Sequence, residues 1–491
     1  MLGLPRYMYR IVEEIERHAK EVGLDFYTTI FEMVPYDTMN EIAAYQGFPT
    51  RYPHWRFGMQ YERLSKSYTY GLHKIYEMVI NNDPCYAYLL EGNSLVDQKM
   101  VIAHVFAHCD FFKNNQWFAA TNRKMIDEMA NHGARIRRSI ERHGLENVER
   151  FLDVCLSIDN LIDVHSPFIR RERIESDADE EPVQVSRIEA KPYMEEYVNP
   201  PQVLEAERKR REAEREHAKQ KLPAQPVKDV MGFLVEHAPL EPYERNLLEM
   251  VREEAYYFAP QGQTKIMNEG WASFWHSRLL TGRVLSAAEI VDFADNHSMT
   301  MQTSPQKLNP YKLGLDLFRD IEDRWNRGAF GREYEDCDDI VARESWNRQL
   351  DLGLGKIFEV RRIYNDITFI DEFLTPEFAA RQMMYTFGYN PKTSRWEIFS
   401  RQFEAIKAQI LRDLTNFGQP EIYVEDANHK NRGELMLKHT HAGVDLQPDY
   451  GQATLANLVR IWRRPVNLRT VVGDKRRIWH HDGTEFKELP G

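Results

Sequence analysis

The sequence predicts a mainly α-helical protein with a small α+β unit at its C-terminus. Apolar residues recur at helical spacing through most of the chain, as Met8, Val12, Ile15 and Ala19 do near its beginning. Beyond residue 388, short strand-like runs replace this spacing and are separated by turn signals such as NHKNRG and VGDK. With 491 residues, of which 42% are hydrophobic, the chain is long enough to bury a sizeable core.

The composition argues against several classes of protein. The formal net charge of -12 lacks the basic excess that a general nucleic-acid-binding protein would carry. No window approaches the roughly 18 uncharged apolar residues of a membrane span. The first residues are typical of an amphipathic helix rather than a signal peptide, and the 4 cysteines lie far apart without a CxxC pair. We therefore expect a cytoplasmic protein that binds no nucleic acid.

Residues 1–171 are interpreted as a first helical domain, which carries the first half of a candidate site. The elements predicted in it are helices over 5–35 and 36–47, strand-like runs over 76–80 and 85–90, a helix over 95–109, and two long helices over 119–165.

Residues 172–228 are interpreted as a charged linker or insertion. The segment begins with the acidic stretch ESDADEEP and continues into the charge-dense run EAERKRREAEREHAKQK, with prolines on either side of that run. Its alternating charges are typical of one solvated helix in an exposed segment. We expect an insertion rather than a domain boundary, because the two halves of the candidate site lie on either side of it.

The remainder divides into a second helical domain, 229–388, and the α+β unit, 389–491. Helices are predicted over 229–260, 264–282, 286–295, 311–326, 341–364 and 375–386. His297 follows one of these helices in a predicted loop and is interpreted as a surface histidine. The C-terminal unit has the strand-like runs WEIFS, IYVED, ELMLKHTH, PVNLRTVV and RRIWHHDG, with helices over 401–416 and 453–464.

The stretch VIAHVFAH supplies the first half of the candidate site. His104 and His108 are four residues apart and share one helix face, since four residues advance about 400° around a helix. Two imidazoles at this spacing can hold one metal ion. Their neighbours are apolar, so both rings should be buried and each should need a polar partner. The alternative is a pair of core histidines that carboxylates or carbonyls satisfy.

The stretch NEGWASFWH supplies the second half. Glu269 and His276 are seven residues apart, which is two helical turns, and Glu269 lies among apolar and aromatic residues where an unpaired carboxylate is unusual. Two histidines on one helix and a glutamate on a later one form the ligand set of thermolysin-like zinc sites. We therefore predict a zincin-like helical site with His104, His108 and Glu269 as metal ligands.

The candidate catalytic residues are less conventional. Position 105 is Val, where the HExxH pattern carries its general base, so ordinary peptidase chemistry lacks its proton acceptor. Asp110, Glu253 or Glu254 could substitute for it, since the helix of VREEAYYFAP precedes NEGWAS and one of its faces could point at the same pocket. The predicted catalytic set is Asp110, Glu253 and His276; the alternative is a site inactive as a peptidase.

Several long motifs resemble those of one family. In chain order, RYPHWRFGMQYERL, IYEMVINNDPCYAYL, HVFAHCDFFKNN, MNEGWASFWH and LNPYKLGL are similar to segments of the bacterial SpoVR family, the stage V sporulation protein R family. The resemblance covers essentially the whole chain and includes KHTHAGVDL and LVRIWRRPV near its end. The linker at 172–228 has no motif to match.

The resemblance implies a cytoplasmic, mainly helical protein that acts in spore cortex formation or in stress and stationary phase. It also implies two partners, an AAA-type serine protein kinase and a protein with a von Willebrand factor A-like domain, whose genes are common neighbours of the family. It names no molecular activity. The positions that it carries over are His104, His108, Asp110, Glu269 and His276.

Three hypotheses follow, and the sequence leaves open whether the protein is an enzyme. The first is a hydrolase that uses a divalent metal, with zinc as the expected ion, on an amide bond of a peptide or of peptidoglycan. The second is a non-catalytic regulatory or scaffold protein on a degenerate metallopeptidase-like frame, working with a serine protein kinase pathway. The third, a carboxylate-rich di-iron site, needs more paired Glu and ExxH motifs than the sequence contains.

Overall fold

The computed structural model describes residues 3–69, 77–169, 194–219, 222–303 and 308–491. It confirms the predicted class, mainly α-helical with a small C-terminal sheet. Contacts divide the chain into two compact units, Met1–Asn147 with Tyr256–Gln419 and Val148–Ala255 with Pro420–Gly491. In the described part, no helix combines the length and apolar character needed to cross a membrane. The acidic stretch of the predicted linker lies outside the described residues.

The helices up to the middle of the chain are α1 (Arg6–Glu21), α2 (Tyr36–Ala44), α3 (Trp55–Thr69), α4 (Leu95–Asn114), α5 (Met125–His143), α6 (Leu145–Leu156), α7 (Glu195–Val198), α8 (Pro201–Lys219), α9 (Val230–His237) and α10 (Pro242–Gln263). The later helices are α11 (Lys265–Leu279), α12 (Ala287–Thr300), α13 (Pro310–Arg327), α14 (Arg332–Glu335), α15 (Ile340–Glu344), α16 (Gly353–Ile363), α17 (Asp366–Phe373), α18 (Pro376–Arg381), α19 (Phe403–Leu414) and α20 (Pro448–Trp462). The strands are β1 (Thr29–Val34), β2 (Glu77–Ile80), β3 (Cys85–Leu90), β4 (Thr386–Asn390), β5 (Arg395–Ser400), β6 (Glu421–His429), β7 (Glu434–Thr440), β8 (Val466–Val472), β9 (Lys475–His481) and β10 (Phe486–Pro490).

The first unit contains a small sheet that the sequence predicted only in part. Its order is β1-β3-β2, with β1 parallel and β2 antiparallel to β3. The predicted helix over 5–35 is wrong in its second half, because α1 ends at Glu21 and β1 follows. Gly23 ends the helix with a φ of +96°, a conformation that side-chain-bearing residues rarely adopt. The buried Phe31 then joins the sheet opposite Ala87.

Helix α4 runs through the core of the first unit. Ser94 and Asp97 form a capping box at its N-terminus, which satisfies backbone donors that the helix itself cannot. From Val101 to Phe112 each residue is buried, including the polar ones, so this helix is enclosed on every side. Any polar side chain on it therefore needs a partner from another element.

Helix α11 packs against α4 and crosses α13 with its backbone in contact. A Cβ built on Gly270 would overlap the backbone of Gly314, and one built on Gly314 would overlap the carbonyl of Ile266. Asp366, at the start of α17, accepts hydrogen bonds from the backbone amides of Ile266 (2.8 Å) and Met267 (2.9 Å). The glycine crossing and the carboxylate cap together position α11.

The second unit contains a five-stranded sheet in the order β10-β9-β8-β7-β6. Strands β7 and β8 are parallel and are connected through α20, whereas the other pairs are antiparallel. The predicted strands and helix from residue 421 onward are confirmed. The hairpin of β4 and β5 belongs to the first unit, which extends to Gln419, although most of it lies within the α+β unit predicted over 389–491.

The glycine crossing predicts a large loss of stability in Gly270→Ala. The added methyl group overlaps backbone rather than a mobile side chain, so the helices must separate at a cost of about 1–3 kcal/mol or more. Gly58→Ala is the matched control, since Gly58 lies on the exposed surface of α3 with no atom within 4 Å of the added Cβ. It should stabilise the protein by up to about 1 kcal/mol. Urea unfolding measures both, and a Gly270→Ala variant as stable as wild type would contradict the close crossing.

Candidate metal centre

Helix α4 places His104 and His108 side by side in the core of the first unit. Their ring centroids are 4.5 Å apart, and the residues are only 5% and 4% exposed. The pair lies one turn apart on one helix face, as the spacing predicts. Apolar neighbours such as Val105 and Phe106 pack on the remaining faces and exclude water from the helix.

Helix α11 brings Glu269 to this pair. Its Oε2 atom lies 3.7 Å from His104 Nε2 and 3.5 Å from His108 Nε2. These separations are long for ordinary hydrogen bonds, and Oε2 is buried without a hydrogen-bond partner among the residues that the structure describes. One ligand atom from each of the three residues lies within 4.8 Å of the others. The side chain of Glu269 is 18% exposed, so the centre is not sealed.

Asn268 orients the ring of His108. The Nδ1 atom of His108 lies 2.8 Å from Asn268 Oδ1, an amide oxygen that can only accept. Nδ1 is therefore the protonated nitrogen and donates this hydrogen bond. In the neutral ring, Nε2 then presents a lone pair on the side of Glu269.

His104 has a different partner, a second imidazole. Its Nδ1 atom lies 2.7 Å from His276 Nδ1, and His276 Nε2 lies 3.1 Å from His297 Nδ1. Three rings from α4, α11 and α12 thus form one hydrogen-bonded line, which we call the histidine line. It leads from the buried pair to His297, which is half-buried.

The electrostatics of the centre favour an ionised Glu269 and uncharged outer rings in the histidine line. Burial raises the pKa of Glu269, but the neighbouring imidazoles of His104 and His108 lower it by more, so it lies well below its usual value. Burial, followed by the nearby His104, holds the pKa of His276 well below its ordinary range. Burial and then Arg319 lower the pKa of His297. Glu269 is therefore ionised at neutral pH, and the outer two rings of the line are uncharged.

The donor set fits a divalent cation. Two ligand atoms held at about 2.1 Å by one tetrahedral zinc-type ion lie roughly 3.4 Å apart, close to the observed 3.5 and 3.7 Å. Two imidazole nitrogens and one carboxylate oxygen are also the donors that such ions bind. His104, His108 and Glu269 could therefore hold an ion and leave a fourth position for substrate.

Asp110 lies away from the histidine pair. It follows His108 by two residues, so its side chain leaves the opposite face of α4. Its carboxylate accepts from the backbone amide of Asp25 (2.8 Å) and from Trp271 Nε1 (2.9 Å), with Arg361 Nη1 at 3.4 Å. Burial raises its pKa to about 6, opposed by Arg361. These contacts support a structural role for Asp110.

The remaining candidates differ in how the structure places them. His276 directly contacts His104, as a residue beside the predicted ligands should. Glu253 and Glu254, by contrast, belong to the second compact unit, whereas the other candidates belong to the first. The geometry of the first unit therefore gives no role to either glutamate.

Two residues of the centre were missed from the sequence. His297 was predicted as a surface histidine in a loop, which is wrong: α12 continues to Thr300, and His297 stacks on Phe293 one turn earlier (ring centroids 5.4 Å). The i, i+4 spacing of that pair was the available signal. Asn268 directly precedes Glu269, but no local pattern reveals that its partner is His108 on another helix.

The fold and the centre define a mainly helical protein with a buried site of two histidines and a carboxylate. The chain belongs to the SpoVR family. The family model described as SpoVR like protein matches residues 5–419, and that of the SpoVR-like C-terminal domain matches residues 420–473. The resemblance seen in the motifs is therefore confirmed. The boundary between the two matches coincides with the point where the first compact unit ends, at Gln419.

The chain also resembles a curated protein over most of its length. The chain is 32% identical over 478 residues to a protein of Escherichia coli (strain K12) named Uncharacterized protein YcgB. The alignment covers 93% of this chain and 90% of that protein. No solved structure matches the chain.

The cap on α11 predicts a pH-dependent contribution to stability. Burial raises the pKa of Asp366 to about 7 from an ordinary 3.8, so the folded protein holds this proton more tightly than the unfolded chain. The proton on Asp366 therefore contributes its full stabilisation of the folded protein at acid pH. This contribution is lost as the pH rises from about 4 to 7. At about 1.4 kcal/mol per pKa unit, the advantage of wild type over Asp366→Asn should shrink by about 2–3 kcal/mol between pH 5 and 8.

Urea unfolding of the metal-free protein at the two pH values measures this difference. Asp371→Asn is the control, because Asp371 lies on the same helix with its side chain 65% exposed. It should keep the pH dependence of wild type. An Asp366→Asn variant that also keeps it would contradict a protonated, buried Asp366.

Proposed function

We propose that this SpoVR-family protein is a metal-dependent, hydrolase-like enzyme whose ion is held by His104, His108 and Glu269. The observation that carries the proposal is the convergence of three atoms of metal-ligand type, two Nε2 and one Oε2, at a buried point. The expected ion is divalent, with zinc first. The expected target is an amide bond in a peptide or in peptidoglycan.

A metal ion explains the convergence better than a proton does. If a protonated imidazole balanced Glu269, the nitrogen and oxygen would form a charge-assisted hydrogen bond of about 2.7–2.9 Å. The two separations are instead 3.5 and 3.7 Å. A buried carboxylate oxygen without a donor is costly, and a cation between the three atoms removes that cost.

In this proposal, the residues of the chain would hold the ion and orient its ligands. When bound, a divalent ion supplies Lewis-acid polarisation of a carbonyl oxygen. Asn268 and His276 hold the rings of His108 and His104 in the orientation that presents their Nε2 atoms. The partial exposure of Glu269 gives a route of entry for a substrate carbonyl.

A second candidate function is favoured by the missing general base. Val105 is fully buried in the core, so no carboxylate lies at the position where the HExxH pattern provides one. The carboxylate of Asp110 is engaged with Trp271 and Arg361 on the opposite face. A regulatory or scaffold protein with a structural metal centre is consistent with both observations.

The cellular role that the resemblance implies stays a prediction. It comprises spore cortex formation or a stress and stationary-phase response, in a pathway with an AAA-type serine protein kinase and a von Willebrand factor A-like protein. Co-purification of the tagged chain with these two proteins from its own cells would test the partnership.

Metal analysis tests the centre. Wild-type protein purified from zinc-supplemented cells should carry close to one equivalent of a divalent ion. His104→Ala/His108→Ala should lose it, because two of three ligands are gone, and Glu269→Gln should bind it at least tenfold more weakly. His441→Ala, in the second unit and paired with Asp445, is the control and should retain full metal content. Metal-free wild type, or undiminished metal in the double variant with normal circular dichroism, would contradict the proposal.

Hydrolysis separates the two candidate functions. For an enzyme, metal-loaded wild type should release peptides from casein or fragments from peptidoglycan, and Glu269→Gln should lose this release together with the ability to complement a deletion strain. For a scaffold, a folded Glu269→Gln variant should still complement. Complementation by a folded, metal-free Glu269→Gln variant would contradict the enzyme.

A further inference from the structure

The histidine line has only two self-consistent directions. Each N···N contact needs one hydrogen, and a neutral imidazole carries one. In the outward direction, His104 Nδ1–H donates to His276, and His276 Nε2–H donates to His297. In the inward direction, His297 Nδ1–H donates to His276, which donates to His104, and His104 must then carry its proton on Nε2.

The direction decides whether His104 can be a metal ligand. Outward, His104 Nε2 has a lone pair on the side of Glu269; inward, it presents an N–H there. His108 has no such choice, since Asn268 Oδ1 only accepts. The two histidines of the centre are therefore unequal, and only His104 depends on residues further along the line.

The outer end of the line is held in place by contacts of its own. Helix α12 is tied to α4 by Lys99 with Glu289 (Nζ to Oε1, 2.6 Å) and by Asn296 with Asp97 (Nδ2 to Oδ1, 2.7 Å). His297 directly follows Asn296 and also stacks on Phe293. These contacts hold α12, which carries His297, against α4, which carries His104.

We propose that His276 and His297 are positioning residues that set the proton on His104 Nδ1 and so raise the affinity of the centre for its divalent ion. The inference rests on the proposed function and adds two residues to it. His297 acts at a distance: by accepting from His276 Nε2–H, it leaves His276 Nδ1 free to accept from His104. Partners of metal-ligating histidines typically change metal affinity by about 10- to 100-fold.

Zinc titration of the full-length protein against a chromophoric chelator tests the line. His297→Ala should lower zinc affinity about tenfold or more, because His276 loses its acceptor. His297→Gln should restore most of it, since the amide oxygen can accept from His276 Nε2–H. Ser298→Ala is the control at the neighbouring exposed position of α12 and should bind zinc like wild type.

Histidine-selective ¹⁵N NMR gives a readout that loss of packing alone would not reproduce. In zinc-loaded wild type, His104 should be protonated on Nδ1 and His276 on Nε2. His276 protonated on Nδ1 would overturn the inference, whether or not the His297 variants fold.

The outcomes separate the inference from the proposed function. Wild-type zinc affinity in His297→Ala overturns the inference and leaves the metal centre intact. Weak binding in both His297→Ala and His297→Gln also overturns it, because hydrogen-bond acceptance would then not be the cause. Absence of zinc binding in wild type overturns both.

Discussion

The close crossing of α11 with α13 is the constraint on which the first unit depends. Gly270 and Gly314 allow the backbones of α11 and α13 to come into contact. Helix α11 also packs against α4 in the same hydrophobic core. Glu269 directly precedes Gly270, so the packing contact and the candidate ligand occupy the same turn. A shift of α11 large enough to admit a side chain at the crossing would also move Glu269 relative to the histidine pair. Stability and the geometry of the centre therefore both depend on this crossing.

The buried carboxylates Asp110, Asp366 and Glu269 around α4 and α11 differ in the partners that they meet. Asp110 is satisfied by the backbone of Asp25 and by Trp271, and Asp366 by two backbone amides of α11. Each of these carboxylates meets donors, which is how a core tolerates a polar group. Glu269 instead meets two ring nitrogens whose outer partners can leave them as acceptors. An interior that pairs its other carboxylates so fully makes this convergence of acceptors more consistent with a binding site than with a packing defect.

Local periodicity was enough to find the centre but not its surroundings. The i, i+4 pair on α4 and the isolated Glu269 stand out in the sequence, because helical spacing and a charge among aromatic residues are both local signals. Asn268 and His297 were missed because their significance depends on which helices pack together. Strand β1 was missed for a similar reason, since its pairing partner β3 lies some fifty residues later and its parallel register leaves no hairpin signal. Gly23 is a local signal for the end of α1, but the helical spacing of the residues before it favoured a longer helix.

The two histidines of the centre differ in a way that bears on function. A purely structural metal site is best served by ligands whose orientation cannot change, and the amide oxygen of Asn268 provides that for His108. His104 instead depends on a line of imidazoles that can carry its hydrogens in either direction and that ends at a half-buried ring on α12. Such a ligand has two tautomers, and in our proposal the acceptor at His297 selects between them. This asymmetry favours a centre whose metal affinity responds to its surroundings over one that only holds the fold together.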